Sequence, residues 1–285
     1  MTAFVRRVVP ALCSLAFFAA APDSARANGV DGDPGPPGHL TVSGSSTMAP
    51  LLAAIARRFR ERVDARAEIV VTRGGAARGI ANVRANENDI GMVSRGLTRE
   101  EADLKAFPIA RDGLCMLVHR DNALVRQLSN AQIADIYTGR IANWKVVGGG
   151  NAPIHVISYE DGYSSLELFV QYFKVDKAAI RAHAIVSGDQ EIILAVSEDP
   201  DAIAYTSIGQ AERGLAKSRK IRLLPLGGVA ASNATVQSRA FPLLRPLLLV
   251  TKGPPTGLAK RFIDYSMSAE VVDLIREQEF VPNLQ

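Results

Sequence analysis

Four short stretches place hydroxyls, glycines and an arginine where they could hold an anion. "SGSSTMAPL" (Ser43 to Leu51) interrupts a short β-branched run with glycine, the hydroxyls of Ser45, Ser46 and Thr47, and a proline, then opens an apolar helical pattern. "TRGGAARG" (Thr72 to Gly79) and "YEDGYSS" (Tyr159 to Ser165) repeat the order of strand, glycine and helix. "VSRG" (Val93 to Gly96) closes a strand on a hydroxyl and a guanidinium. The first N–H groups of a helix lack internal partners, and the macrodipole leaves that end partly positive. A helix start carrying glycine and hydroxyls is therefore a receptor for an oxyanion. Taken alone, the first loop reads as an ordinary N-cap by Ser46 or Thr47, with Pro50 in the first turn. Recurrence favours convergence on one tetrahedral anion. The candidate contacts are Ser46, Thr47, Met48, Gly75, Ala76, Ser94, Arg95, Tyr163, Ser164 and Ser165, with Arg95 as a bidentate clamp. The bland alternative for Arg95 is a surface ion pair with Glu100 or Glu101.

The elements that must position these loops alternate along the chain. "HLTVSG", "AEIVVTR", "DIGMVSR", "DGLCMLVHR", "APIHVISY" and "AIAYTS" read as strands. Leu51, Leu52, Ile55 and Phe59 recur at helical spacing. "ARGIANVRANE", "REEADLKAF", "SSLELFVQYFK" and "DQEIILAVSEDP" also read as helices, the last ended by Pro200. "SNAQIADIYTG" opens on Ser129 as N-cap and closes on Gly139. "PLLRPLLLVTKG" reads as one or two buried strands cut by Pro246, and the C-terminal stretch as two short helices. This alternation predicts an α/β fold with largely parallel sheets, in which ligands bind beyond the carboxyl ends of the strands.

Composition limits the function classes. The 285 residues are 47% hydrophobic, enough for a sizeable core and two lobes, and the net charge is only +4. No aromatic-interleaved basic run asks for nucleic acid. The N-terminus combines a basic start, a short apolar run and "ARA", which predicts a signal peptide over residues 1–27 cut after Ala27. "NGVDGDPGPPG" predicts a flexible tether over residues 28–38. The mature chain is then expected to be soluble and periplasmic or secreted. It keeps one cysteine, Cys115, expected as a buried small hydrophobe. There is no G-x-S-x-G elbow, and the four histidines have no metal-ligand spacing. His119 and His155 read as structural. Neither an enzyme, a metal nor a cofactor is indicated.

At these motifs the chain resembles the periplasmic phosphate-binding proteins of bacterial ABC importers. "SGSSTMAPL" and "NDIGMVSRGLTREE" are similar to that family's first loop and to its strand ending in Ser-Arg. "LSNAQIADIYTGRIANWKVVGGGNAPIHVI" resembles the family's "IFTGKITNW…GG…API" signature, and "PDAIAYTSIGQAE" and "FPLLRPLLLVTK" match later blocks. The likeness runs from about Leu40 to Pro282. It implies a two-lobed clamshell, each lobe a mostly parallel sheet flanked by helices, with lobe 1 at residues 39–118 plus 230–285 and lobe 2 at 119–229. The chain would cross near Val118 to Asp121 and return between Tyr205 and Phe241. It also implies that Tyr137 and Trp144 are packing residues.

The carry-over of site residues is incomplete. Thr47 stands for a family hydroxyl donor, Met48 offers its backbone N–H, and Ser94 and Arg95 transfer. Ala76 lacks the hydroxyl of the family's second loop. Tyr159 stands where the family has an arginine, and Tyr163, Ser164 and Ser165 replace its Ser-Gly-Thr. Arg73 and Arg78 are candidate compensating cations. Glu160 and Asp161 would repel an anion unless one accepts the proton of a hydrogen phosphate. The resemblance implies a monomeric carrier of inorganic phosphate that serves the membrane subunits of an ABC importer. The alternative is the same fold repurposed as a sensor, adhesion or assembly component with weak or no phosphate binding.

Overall fold

The computed structural model describes residues 38–283; the expected signal peptide, its cleavage site and all but the end of the tether lie outside the described residues. Among the described residues, ten strands form one connected sheet: β1 (His39–Gly44), β2 (Glu68–Arg73), β3 (Ile90–Val93), β4 (Lys105–His119), β5 (His155–Tyr159), β6 (Ala184–Val186), β7 (Ala202–Ser207), β8 (Ile221–Leu224), β9 (Leu244–Thr251) and β10 (Val281–Pro282). The spatial order is β2-β1-β3-β9-β4-β7-β5-β6, with β8 and β10 also pairing with β4. The outer groups β2-β1-β3 and β7-β5-β6 are parallel. β4 and β9 run antiparallel to their neighbours and join the two groups.

Among the described residues, nine α-helices flank the sheet: α1 (Ala49–Arg62), α2 (Ala76–Arg84), α3 (Asn130–Tyr137), α4 (Ser164–Phe173), α5 (Asp189–Glu198), α6 (Ile208–Ala216), α7 (Asn233–Gln237), α8 (Gly257–Ser266) and α9 (Val272–Glu277). α1 buries Leu51, Leu52, Ile55 and Phe59 as its spacing predicts, and Arg58 on its other side forks onto Asp273 of α9. α3 has the capping box that Ser129 predicts, with Gln132 as its reciprocal partner, and Gly139 follows its C-cap at positive φ.

The strand period separates the layers. In β9, Leu247 and Leu249 face the core beneath α1, α8 and α9, whereas Leu248 and Val250 face a smaller cluster beneath α2. A second large core gathers around β5, β7 and the far half of β4, and it includes Tyr137, Trp144, Phe169 and Tyr205. Both cores share β4: Ile109 and Ala110 belong to the first, Leu114 to Val118 to the second. In β9, Leu244 packs on the second core and Leu247 lies in the first. By core membership, both large cores draw on these two strands.

Two local expectations are corrected. "REEADLKAF" is not a helix: one 3-10 turn, Arg99–Glu101, precedes β4 at Lys105. Glu101 closes a capping box with Thr98 and turns toward Arg95, which ends the helical run. Pro246 does not cut β9, because β3 pairs only with Leu248 to Val250. At Pro246 the strand has one neighbour, β4, so the missing N–H is tolerated as on an edge strand.

Candidate functional site

The carboxyl ends of β5 and β7 meet the starts of α1, α4 and α5 around one buried arginine that the motifs did not single out. Arg245, in β9, is 1% exposed. Its Nε and Nη2 donate to Asp112 Oδ2 of β4 at 2.9 and 2.7 Å. Nη1 donates to Ser165 Oγ at the start of α4 (3.1 Å), and Nη2 reaches Thr47 Oγ1 before α1 at 3.4 Å. One guanidinium thus contacts elements of both cores. Burial alone would lower its pKa; the neighbouring Asp112 and Asp189 outweigh burial and hold it raised.

A second carboxylate faces the same centre. Asp189, the first residue of α5, is buried. Its Oδ2 accepts from Thr47 Oγ1 at 2.6 Å. Its Oδ1 accepts from the Tyr159 hydroxyl at 2.6 Å and from Thr206 Oγ1 at 2.8 Å. Burial first, then Asp189, push the Tyr159 phenol well above its ordinary range, so it stays a neutral donor. Asp112 is held from the other side by Ser207 Oγ at 2.7 Å and Gly209 N–H at 3.2 Å. Next to Ser165, the buried Ser164 hydroxyl has no hydrogen-bond partner among the described residues.

The structure divides the sequence candidates. Thr47 and Ser165 contact Arg245 directly, and Ser164 opens the same helix. Ser94 accepts from Ser45 Oγ at 3.0 Å, and Met48 N–H points at that same Ser45 oxygen at 3.4 Å. Ser46 is half-buried and, with Arg73, Asp189 and Gln210, lines a cavity of about 80 Å³ at the mouth of the site. Gly75 gives its N–H to Gly44 O, and Ala76 is buried behind it. Gly75 sits at φ +83°, where an added Cβ would lie 2.8 Å from Gly162 O. That close approach lets Ala77 N–H donate to Gly162 O at 3.1 Å across the cleft. Tyr163 stacks on Tyr159 at 5.9 Å between ring centroids.

Arg95 is held by other partners. It is buried, but its Nη1 and Nη2 fork onto Glu101 at 2.7 and 2.8 Å, and its Nε donates to Glu167 of α4. Two carboxylates occupy the fork that a bound anion would need. The expected pairing with Glu101 is present, buried rather than at the surface. Burial would lower the Arg95 pKa, and Glu101 and Glu167 more than offset it. Glu160 and Asp161 do not face the centre either: they are exposed, with Glu160 accepting from Ser187 and Asp161 paired with Lys177 at 2.7 Å. Arg73 pairs with Glu191 at 3.5 Å.

Arg245, Asp112, Asp189, Thr206 and Ser207 were not candidates. The signal for Arg245 was present in "PLLRPLLLV". A guanidinium inside a buried apolar strand demands a buried counter-ion, and such groups concentrate at sites. Its partner, Asp112, sits likewise in the run before "GLCMLVH". The histidines and cysteine follow their expected roles in part. Cys115 is buried, and burial pushes its thiol up. His119 is buried and accepts from Asp121 N–H at 3.1 Å.

The chain is similar to known proteins over most of its length. The model of the PBP superfamily domain matches residues 29–270. The phosphate-binding protein PstS of Bacillus subtilis is 30% identical over 250 residues, which cover 86% of this chain and 81% of that protein. A solved structure from Clostridium perfringens, described as a phosphate ABC transporter substrate-binding protein with bound phosphate, superposes with a TM-score of 0.78. It is 31% identical, over 86% of this chain and all of that one. An ABC-type phosphate transport receptor from Vibrio cholerae gives a TM-score of 0.70 at 25% identity, over 85% of this chain and 99% of that one.

Proposed function

Because the chain belongs to the PBP superfamily, and within it to the PstS family of phosphate-binding proteins, we propose that it captures hydrogen phosphate at the Arg245 junction for an ABC importer. The observation that carries this reading is the buried Arg245 itself. Among the described residues its single direct counter-ion is Asp112, and hydroxyls of Thr47 and Ser165 from two helix starts lie on its remaining edge. A guanidinium has five N–H donors, and one on Nη1 is left over after these contacts. That donor, the Ser164 hydroxyl and the first N–H groups of α4 supply the positive side of an oxyanion site.

Asp189 supplies the negative side. A carboxylate accepts but does not donate, so it favours an oxyanion that carries a proton. Hydrogen phosphate carries one and sulfate does not, which gives a basis for discrimination. The Thr47 hydroxyl now bonded to Asp189 would turn to the anion as the phosphate proton takes its place. Tyr159 holds the other Asp189 oxygen and so orients the acceptor, rather than providing the charge an arginine would.

In this reading the chain is exported, cut after Ala27, and works outside the cytoplasmic membrane as a monomer that meets the importer's membrane subunits. It carries no catalysis. No described helix is long and apolar enough to cross a membrane.

One observation favours the second reading, a clamshell that binds phosphate weakly and serves as a sensor, adhesion or assembly component. Asp112 and Asp189 together outnumber Arg245, so the junction before binding has a net negative charge. Titration calorimetry with phosphate, arsenate and sulfate in low-salt, phosphate-free buffer separates the two. Micromolar or tighter phosphate binding with weak sulfate binding supports the carrier. Absence of heat at millimolar phosphate supports the repurposed fold.

A further inference from the structure

The opposite ends of the strands that build the anion site bring together a histidine and two aspartates. His155 opens β5, and Asp199 and Asp201 lie in the turn leading into β7. One ligand atom from each falls within 4.8 Å of the others. His155 Nδ1 is 2.8 Å from Asp199 Oδ2, and the two side chains are 38% and 34% exposed, open enough for an ion to enter. A second imidazole, that of His183, packs beside His155 at 5.4 Å between ring centroids. His183 Nδ1 already accepts from Val156 N–H, which leaves its Nε2 as the ring nitrogen able to ligate.

The framework beneath these groups is fixed by backbone bonds. Asp201 O accepts from both His155 N–H and Trp144 Nε1–H at 3.0 Å, and Asp199 Oδ1 accepts from Asp201 N–H at 2.9 Å. Ligand atoms around a zinc ion with bonds of about 2.1 Å stand roughly 3.4 Å apart when tetrahedral. The present spacing needs only small side-chain rotations to reach that. The cluster lies four residues along β5 from Tyr159, about 13 Å of extended strand, and so is separate from the anion site.

We propose that His155, Asp199 and Asp201 form a binding site for a divalent first-row metal ion of the zinc class, which ties β5 to the lead-in of β7. One imidazole nitrogen with two carboxylate oxygens suits zinc and its neighbours better than calcium or magnesium, which take oxygen sets.

The test is a titration of tag-free mature protein with zinc chloride in phosphate-free buffer, against a chromophoric chelator, with melting curves before and after EDTA. The expected result is one equivalent of zinc bound at micromolar or tighter affinity, and a melting temperature that rises with zinc and falls back with EDTA. His155→Gln and Asp201→Asn should each weaken zinc binding at least about tenfold, as losing a ligand costs no less than losing a residue that supports one. Asp201→Asn keeps the backbone carbonyl that anchors the turn, so a folded variant is available. Binding of zinc by wild type that is unchanged in both variants, or no binding at 100 µM zinc, would overturn the proposal.

Discussion

Two buried arginines, Arg95 and Arg245, sit close to the same cleft and have opposite surroundings. Arg95 meets two carboxylates, Glu101 and Glu167, from either side. Arg245 meets one, Asp112, and then two hydroxyls. The first arrangement spends the charge within the protein and ties the end of β3 to α4. The second leaves donor capacity beside helix starts. A cation's availability for a ligand is set by its partners, and a motif that contains an arginine does not reveal them.

Replacing the better-placed cation should have the largest effect. Arg245→Met leaves Asp112 buried without its counter-ion, and the expected loss of stability is about 3–5 kcal/mol by denaturant unfolding. Phosphate binding should fall by up to about 100-fold, since the charge-assisted bond from the free Nη1 donor is worth about 1.5–3 kcal/mol. Adding Asp112→Asn to that variant should recover part of the stability and none of the binding. Recovery of binding as well would remove Arg245 from the site.

Asp189→Asn should alter selectivity. Phosphate affinity is expected to drop about tenfold or more while sulfate affinity rises, because the acceptor for the phosphate proton is gone and repulsion of sulfate is relieved. Competition titrations with both anions measure this ratio. An unchanged ratio would remove Asp189 from the discrimination.

Arg95→Met should invert the pattern seen at Arg245. Stability is expected to fall by about 2 kcal/mol, with phosphate affinity staying within about tenfold of wild type. A loss as large as that of Arg245→Met would restore Arg95 as the clamp. The Arg95 pair also predicts an acid dependence. Burial raises the Glu101 pKa, but hydrogen bonds from Arg95 and from Thr98 N–H outweigh it, so the folded value lies below the ordinary 4.5. Glu101 therefore contributes stability that is present in full above about pH 4.5 and is lost as pH falls through the folded value. Glu101→Gln should be less stable than wild type at pH 7, and the difference should shrink below pH 4.5. A constant difference across that range would contradict the pairing.

The smallest expected effect is at Ser164→Ala. Its hydroxyl has no partner to lose among the described residues, so stability should hold within about 0.5 kcal/mol, while phosphate binding weakens by about 1 kcal/mol. Equal binding in the variant would place the anion away from α4.

Most of the framework was legible because it rests on local periodicity. The helical spacing from Leu51 to Phe59, the capping box at Ser129 and the apolar run of β7 each encode their own structure. The donor side of the site was legible where it depends on a strand turning into a helix, as at Thr47, Ser164 and Ser165. What was missed depends on contacts distant in sequence. Asp112 and Arg245 are 133 positions apart, and Thr47 and Asp189 are 142 apart. No local pattern joins them; the pairing of β4 with β9 brings Asp112 and Arg245 into contact, and the approach of the α1 and α5 starts does so for Thr47 and Asp189. The partners of Arg95 were hidden for the same reason. Glu167, which shares its charge, lies on α4, 72 positions away.

The central claim is that Arg245, rather than Arg95, meets the anion. A crystal structure of the mature chain grown with phosphate tests it most directly. The expected result is a phosphate oxygen within about 3.2 Å of an Arg245 Nη atom, another near Ser164 Oγ, and Asp189 within hydrogen-bond distance of a third. A phosphate bound by Arg95, with the Glu101 and Glu167 contacts broken and Arg245 still closed on Asp112 and Ser165, would contradict the account.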